Sequence, residues 1–178
     1  MDTHDYLWIL PYNAAMCTPC KPYDVTIKPE WRKTISDAKR KAKTIRINRE
    51  YDIPYLAGPS NDGMVVYIDR HVPKGFMDGG RMIRVDRYLA IHECVEQALM
   101  DQEGLPYFKG KSAAHKIATD EELAAVKADG IDVAKYNAFM NKYVKEDSKE
   151  QIKYPPPDLF EKPYEQEGDT KDLAKIQS

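Results

Sequence analysis

Two polar residues in the middle of an apolar helical pattern are the first sign of chemistry in this sequence. His92 and Glu96 stand four residues apart, and the apolar residues around them recur at the spacing of one buried helix face. A buried carboxylate without a partner is costly, because burial removes its hydration. Both side chains can point at a common centre, and a divalent cation is the simplest centre that satisfies them. The apolar residues of this face are Val85, Tyr88, Leu89, Val95, Leu99 and Met100.

The segment from His92 to Glu96, His-Glu-Cys-Val-Glu, resembles the signature of the zincin metallopeptidases, which is HExxH on a helix. It departs from that signature at Glu96, which stands where the second histidine is expected. His115 follows after eighteen intervening residues, on the next predicted helix. In the gluzincin branch the third ligand is a glutamate on a following helix, so this chain looks as if the histidine and glutamate positions had been exchanged.

The resemblance implies a zinc ion held by His92, Glu96 and His115, with a fourth position open for water. It also implies that Glu93 is the general base and that the substrate is a peptide or a protein. The predicted function is therefore that of a metal-dependent hydrolase, a zinc metallopeptidase. A buried ion pair between His92 and Glu96, without metal, is the alternative for the same residues.

Four further residues are candidates for the surroundings of this site. Glu122 ends a Thr119-x-x-Glu122 capping box, which predicts a helix start. Alternatively, it accepts a hydrogen bond from a ligand imidazole or replaces Glu96 as a ligand. His71, Tyr107 and Tyr136 can line the cleft and donate to an oxyanion, although His71 can also simply end a strand.

The elements that must position these residues predict a small α+β domain. A short sheet of at least two strands packs against an N-terminal helix and the motif-bearing helix, and two further helices follow. The resemblance makes the second strand the edge strand along which a peptide lies. The predicted elements are a helix over 29–43, strands over 44–48 and 64–69, a turn over 58–63, a flexible loop over 75–80, and helices over 82–102, 112–128 and 132–145.

The chain of 178 residues is long enough for about one domain. We assign that domain, the zincin-like one, to residues 29–147, between an N-terminal arm over 1–28 and a solvated acidic tail with a triple proline over 148–178. Cys17 and Cys20 form a single CxxC, which favours a structural or incidental role over a redox or metal role. With no apolar run long enough to span a bilayer and an acidic N-terminus, we expect a cytoplasmic protein without membrane contact.

The segment from 32 to 49 supports a second class of function. It holds eight Lys or Arg residues, which can contact nucleic acid or an acidic partner. The net charge of the whole chain is -2, which favours an ordinary solvated helix face. A third possibility is an interaction or scaffold protein that retains the zincin-like frame without catalysis.

Overall fold

The computed structural model describes residues 27–107, 113–147 and 152–167, together with residue 174. The predicted N-terminal arm over 1–28, with Cys17 and Cys20, therefore lies almost entirely outside the described residues. Within them one helix is followed by five short strands and then by four helices, which confirms the predicted small α+β class. The elements are α1 Trp31–Lys41, β1 Arg46–Asn48, β2 Ala57–Pro59, β3 Val65–Ile68, β4 Gly75–Asp78, β5 Arg81–Arg84, α2 Asp86–Gln102, α3 Ala114–Ala128, α4 Val133–Asp147 and α5 Lys162–Glu167.

Helix α2 is the centre of the fold. Nearly every residue from Tyr88 to Met100 is buried, because α1 and α3 pack on α2 while β2 and β3 cover a further side. Its two ends follow ordinary rules: Asp86 lies in the first turn, and Gly104 takes a positive φ of 64° just beyond the last turn. No helix in the described part of the chain is both long and apolar enough to cross a membrane.

The larger sheet has the order β1-β3-β2, with β1 parallel and β2 antiparallel to β3. The strand predicted over 64–69 is therefore the central strand, and its assignment as the edge strand is wrong. All four residues of β3 are buried: Val66 and Ile68 belong to the main core, and Val65 and Tyr67 belong to a smaller cluster. A continuous apolar run of this kind suits a strand that is covered on both faces.

The segment before α2 also differs from its prediction. Instead of a flexible loop over 75–80 and a helix from Met82, β4 and β5 form an antiparallel hairpin. Gly79 and Gly80 connect them with φ values of 55° and 80°, which is the conformation that a two-residue hairpin turn requires. The paired side chains of Phe76 and Ile83 pack on the core, and this burial favours strands over a longer helix.

The segment from 152 to 160 packs on the sheet, so the prediction of a solvated tail is wrong there. Leu159 and Phe160 are buried, and Leu159 forms an antiparallel bridge with Ser60 beside β2. The hydroxyl of Tyr67 donates to Asp158 Oδ1 at 2.6 Å. Apolar residues that follow the triple proline therefore cover the second face of the sheet. The prediction of solvent contact was based on the charges of this segment and did not weigh these apolar residues.

Candidate metal centre

Helices α2 and α3 bring the three predicted ligands together. His92 and Glu96 are one turn apart on α2, and His115 lies in the first turn of α3. Glu96 Oε2 is 2.7 Å from His115 Nδ1 and 3.3 Å from His92 Nε2, and the two imidazole nitrogens are 3.2 Å apart. The structure thus places these side chains as the helical spacing predicted, with one donor atom each facing a shared point.

Two of these three distances fit a tetrahedral zinc site. Zinc bonds of about 2.0–2.1 Å at tetrahedral angles separate neighbouring ligand atoms by about 3.3 Å. Two of the three separations, 3.2 and 3.3 Å, match that value, while the Glu96–His115 separation of 2.7 Å is that of a hydrogen bond. An opening of that one contact by about 0.6 Å would complete the geometry, and two imidazoles with one carboxylate are a regular zinc donor set.

Glu122 orients His92 from the next helix. Its Oε2 atom is 2.8 Å from His92 Nδ1, and the hydroxyl of Tyr136 donates to its Oε1 atom at 2.5 Å. With Nδ1 as the donor to Glu122, the lone pair of His92 Nε2 points to the shared centre. Tyr136 is 1% exposed and its hydroxyl is bound to Glu122, so the expectation that it lines an open cleft is wrong.

The capping-box interpretation of Glu122 is also wrong. Helix α3 runs without interruption from Ala114 to Ala128, so no helix starts near Thr119. The hydroxyl of Thr119 donates instead to the carbonyl oxygen of His115 at 2.9 Å, one turn back in the same helix. The alternative prediction, that Glu122 accepts a hydrogen bond from a ligand imidazole, agrees with this geometry.

The cluster is buried, and its histidine and glutamate side chains affect one another's pKa values strongly. His92 and Glu96 are 8% and 5% exposed, whereas the side chain of His115 retains 30% exposure and marks the side open to solvent. Burial acts to raise the pKa of Glu96, but hydrogen bonds from His115 and His92 outweigh it and lower this pKa to about 2. Burial acts to lower the pKa of His92, and Glu122 and Glu96 reverse this effect and raise it well above its usual value. The carboxylates of Glu96 and Glu122 therefore stabilise positive charge at this centre.

Glu93 lies beside this centre with a different environment. It is 7% exposed, and its carboxyl group has no hydrogen-bond partner among the described residues. Burial raises the pKa of Glu93 to about 8; the charge of His92 opposes this rise, and Glu96 and Glu122 add to it. A buried carboxyl group with an elevated pKa and no structural partner is typical of a group that exchanges protons.

The remaining two predicted residues, Tyr107 and His71, lie in different parts of the structure. The ring of Tyr107 lies 5.1 Å from the ring of His115, beside the exposed side of the centre. His71 belongs instead to a second cluster with Asp52 and Asp69, in which its Nδ1 atom is 3.2 Å from Asp69 Oδ1. The prediction that His71 lines the same cleft receives no support from this placement.

Sequence reasoning missed the second cluster, although its donor atoms also lie within 4.8 Å of one another. Asp69 accepts hydrogen bonds from the backbone N–H groups of Ile53 and His71, at 2.8 and 2.7 Å. Asp52 is 2.6 Å from the Nε atom of Arg70. The run Asp-Arg-His directly after β3 was the available signal, but only the fold brings Asp52 to it.

Comparison of the chain with protein-family models, with curated proteins and with solved structures gives no match. The resemblance to the zincins therefore depends on the residues of this centre alone.

Proposed function

We propose that this protein is a metal-dependent hydrolase, with zinc as the metal and peptide bonds as the substrate class. The observation that carries the proposal is the convergence of His92, Glu96 and His115 from two helices, with Glu93 buried beside them. The peptide as substrate depends on the resemblance of the motif to the zincins. The metal depends on the donor set and its distances, which hold independently of that resemblance.

The first task of these residues is to hold a cation in one orientation. A bound zinc ion supplies a Lewis acid and lowers the pKa of a coordinated water to about 7. Glu122 fixes the tautomer and the ring plane of His92, and Tyr136 in turn fixes Glu122. Because both outer partners are buried, the orientation of the ligand is set before any substrate arrives.

The second task is proton transfer, which we assign to Glu93. A general base works best when its pKa is near the working pH, because it must both accept and return the proton. Burial gives Glu93 a pKa of about 8, and a cation nearby would lower this value towards neutrality. Glu93 would take a proton from the attacking water and pass it to the leaving amine of the substrate.

The test combines metal analysis with a protease assay on purified full-length protein. We expect about one zinc ion per chain after preparation in excess zinc, and cleavage of a mixed fluorogenic peptide library. Glu93→Gln should keep the metal and lower activity by about 10²–10⁴-fold, because it removes the base without removing a ligand.

Glu50→Gln, at an exposed position, is the matched control and should leave both metal and activity unchanged. Zinc well below one ion per chain, with no effect of His92→Ala, would identify an inert ion-pair core instead. Stoichiometric zinc with full activity in Glu93→Gln would exclude the assigned base.

A further inference from the structure

A basic groove runs along α1 and continues between α1 and α3. It consists of two adjoining depressions of about 540 and 280 Å³, and both are lined by Lys39 and Lys43. Ile91 of α2 lies at the second depression, where three alanines of α3 form the opposite side. These alanines are Ala124, Ala125 and Ala128.

The groove concentrates positive charge in a chain whose net charge is -2. Among its lining residues five are cationic and only Glu121, which forms an ion pair with Lys39, is acidic. This imbalance is local, so it creates a positive potential along one surface. The cationic residues are Arg32, Lys39, Arg40, Lys43 and Arg87.

Four of these five cations are available to an anionic ligand. Arg32 and Lys43 are exposed and form no ion pair with any described residue. Arg40 and Arg87 pair with Asp37 and Asp129, but their own side chains are 73% and 56% exposed. Exposed ion pairs contribute little to stability, so phosphate can replace these carboxylates at low cost.

The spacing of the cationic side chains along the groove suits a polyanion with regularly repeated charges. Arg32, Lys39 and Arg40 lie on one face of α1 and extend over about 12 Å of helix, and Lys43 follows just beyond the end of the helix. Three of the five cations are arginines, whose planar guanidinium group binds phosphate oxygens in pairs. No aromatic side chain is among the groove residues that the structure describes, so base stacking has no platform there.

We propose that this groove binds the phosphate backbone of a nucleic-acid duplex, without reading its sequence. Small alanines on the α3 side allow the backbone to approach closely, and the arginines and Lys43 replace its counterions. An acidic protein partner is the alternative that the test must separate, since its carboxylates can pair with the same cations.

The experiment is fluorescence anisotropy with a labelled random duplex of about 20 base pairs, at about 50 and 200 mM NaCl. With four phosphates contacted, we expect affinity to fall by about a hundredfold between these salt concentrations. Arg32→Glu with Lys43→Glu should weaken binding at the lower salt concentration by at least about tenfold. Its matched control is Lys33→Glu with Lys74→Glu, which changes net charge equally at exposed positions outside the groove.

Equal weakening by the control pair would overturn the proposal, since net charge alone would explain binding. So would the absence of binding at the lower salt concentration, or equal affinity for poly-glutamate, which would indicate an acidic protein partner. Thermal unfolding of each variant by circular dichroism verifies that the helices remain intact. Arg32→Glu with Lys43→Glu should bind zinc as the wild-type protein does, which separates this groove from the metal centre.

Discussion

Two clusters in the described part of the chain combine histidine with acidic side chains, and they differ in what surrounds their carboxylate oxygens. In the α2–α3 cluster, the hydrogen-bond partners of Glu96 among the described residues are the imidazoles of His92 and His115. In the β3 cluster, Asp52 and Asp69 are occupied by backbone N–H groups and by Arg70. Both sets of donor atoms lie within 4.8 Å, so proximity alone does not distinguish them.

We interpret this difference as that between a proposed metal site and a structural contact. A guanidinium group already supplies the positive charge at Asp52, and a metal ion would have to displace it. The same carboxylate holds the C-terminal segment, because its Oδ2 atom accepts N–H bonds from Lys153 and Tyr154 at 2.8 Å each. In the α2–α3 cluster, no lysine or arginine of the described residues pairs with Glu96, so a cation has room to act.

The largest contrast between the clusters should appear in metal affinity. His115→Ala removes one of the three proposed ligands, so we expect zinc affinity to fall by more than about a hundredfold. His71→Ala removes the equivalent histidine of the β3 cluster and should leave affinity unchanged. Competition titration with a chromophoric chelator measures both, and equal losses in the two variants would remove the distinction between the clusters.

The reverse contrast should appear in stability. Asp52→Asn weakens two backbone hydrogen bonds and the pair with Arg70, so we expect the free energy of unfolding to fall by about 2 kcal/mol. Asp37→Asn, which breaks only exposed ion pairs on α1, should lower it much less. Urea unfolding measures the difference, and zinc affinity should be unchanged in both variants. A zinc-binding defect in Asp52→Asn would contradict the purely structural role.

A smaller effect on zinc affinity should come from Tyr136, which acts on the α2–α3 cluster through Glu122. Tyr136→Phe leaves Glu122 Oε1 without its donor, so His92 is held less firmly. We expect zinc affinity to fall by about tenfold. Tyr143→Phe is the matched control, since Tyr143 is only partly buried and packs against Phe139. If both variants lower zinc affinity equally, packing and not orientation accounts for the effect.

The smallest effect concerns a carboxylate outside both clusters that, like Asp52, faces arginine. Burial acts to raise the pKa of Asp86, but hydrogen bonds from Arg84 and Arg49 lower it below its usual value of 3.8. A lowered pKa stabilises the fold above the unfolded-state value, and this contribution disappears as pH falls through the folded-state value. The stability advantage of the wild type over Asp86→Asn should therefore be present at pH 6 and should be lost as the pH falls below 3.8 and through the folded-state pKa. An advantage that persists in acid would show that charge is not its source.

Much of the α2–α3 cluster was predictable because helices place residues by local rules. A spacing of four residues puts His92 over Glu96 on one face, whatever the rest of the fold does. The break at Gly104 and the apolar pattern of α3 predicted a second helix that carries His115. The role of Glu122 stayed open, since a capping box and an outer-shell acceptor use the same residue types.

The β3 cluster and the β4–β5 hairpin could not be predicted from local residue spacing. Asp52 and Asp69 are separated by seventeen positions and meet only because β2 turns back along β3. Met82 and Ile83 continue the helical pattern of α2, yet they pair with β4, because Phe76 and Ile83 share the core in that arrangement. Pairing across a sheet depends on partners distant in sequence, which a local period cannot identify.

The sequence by itself therefore determined the main parts of α1 to α4, their buried faces and the identity of three converging donor groups, because these follow from residue spacing within single elements. Only the tertiary structure decided which carboxylates are bound by backbone and arginine and which face imidazoles. The reason is physical: a carboxylate in the interior takes the nearest donors that the packed fold supplies, and those donors come from other elements.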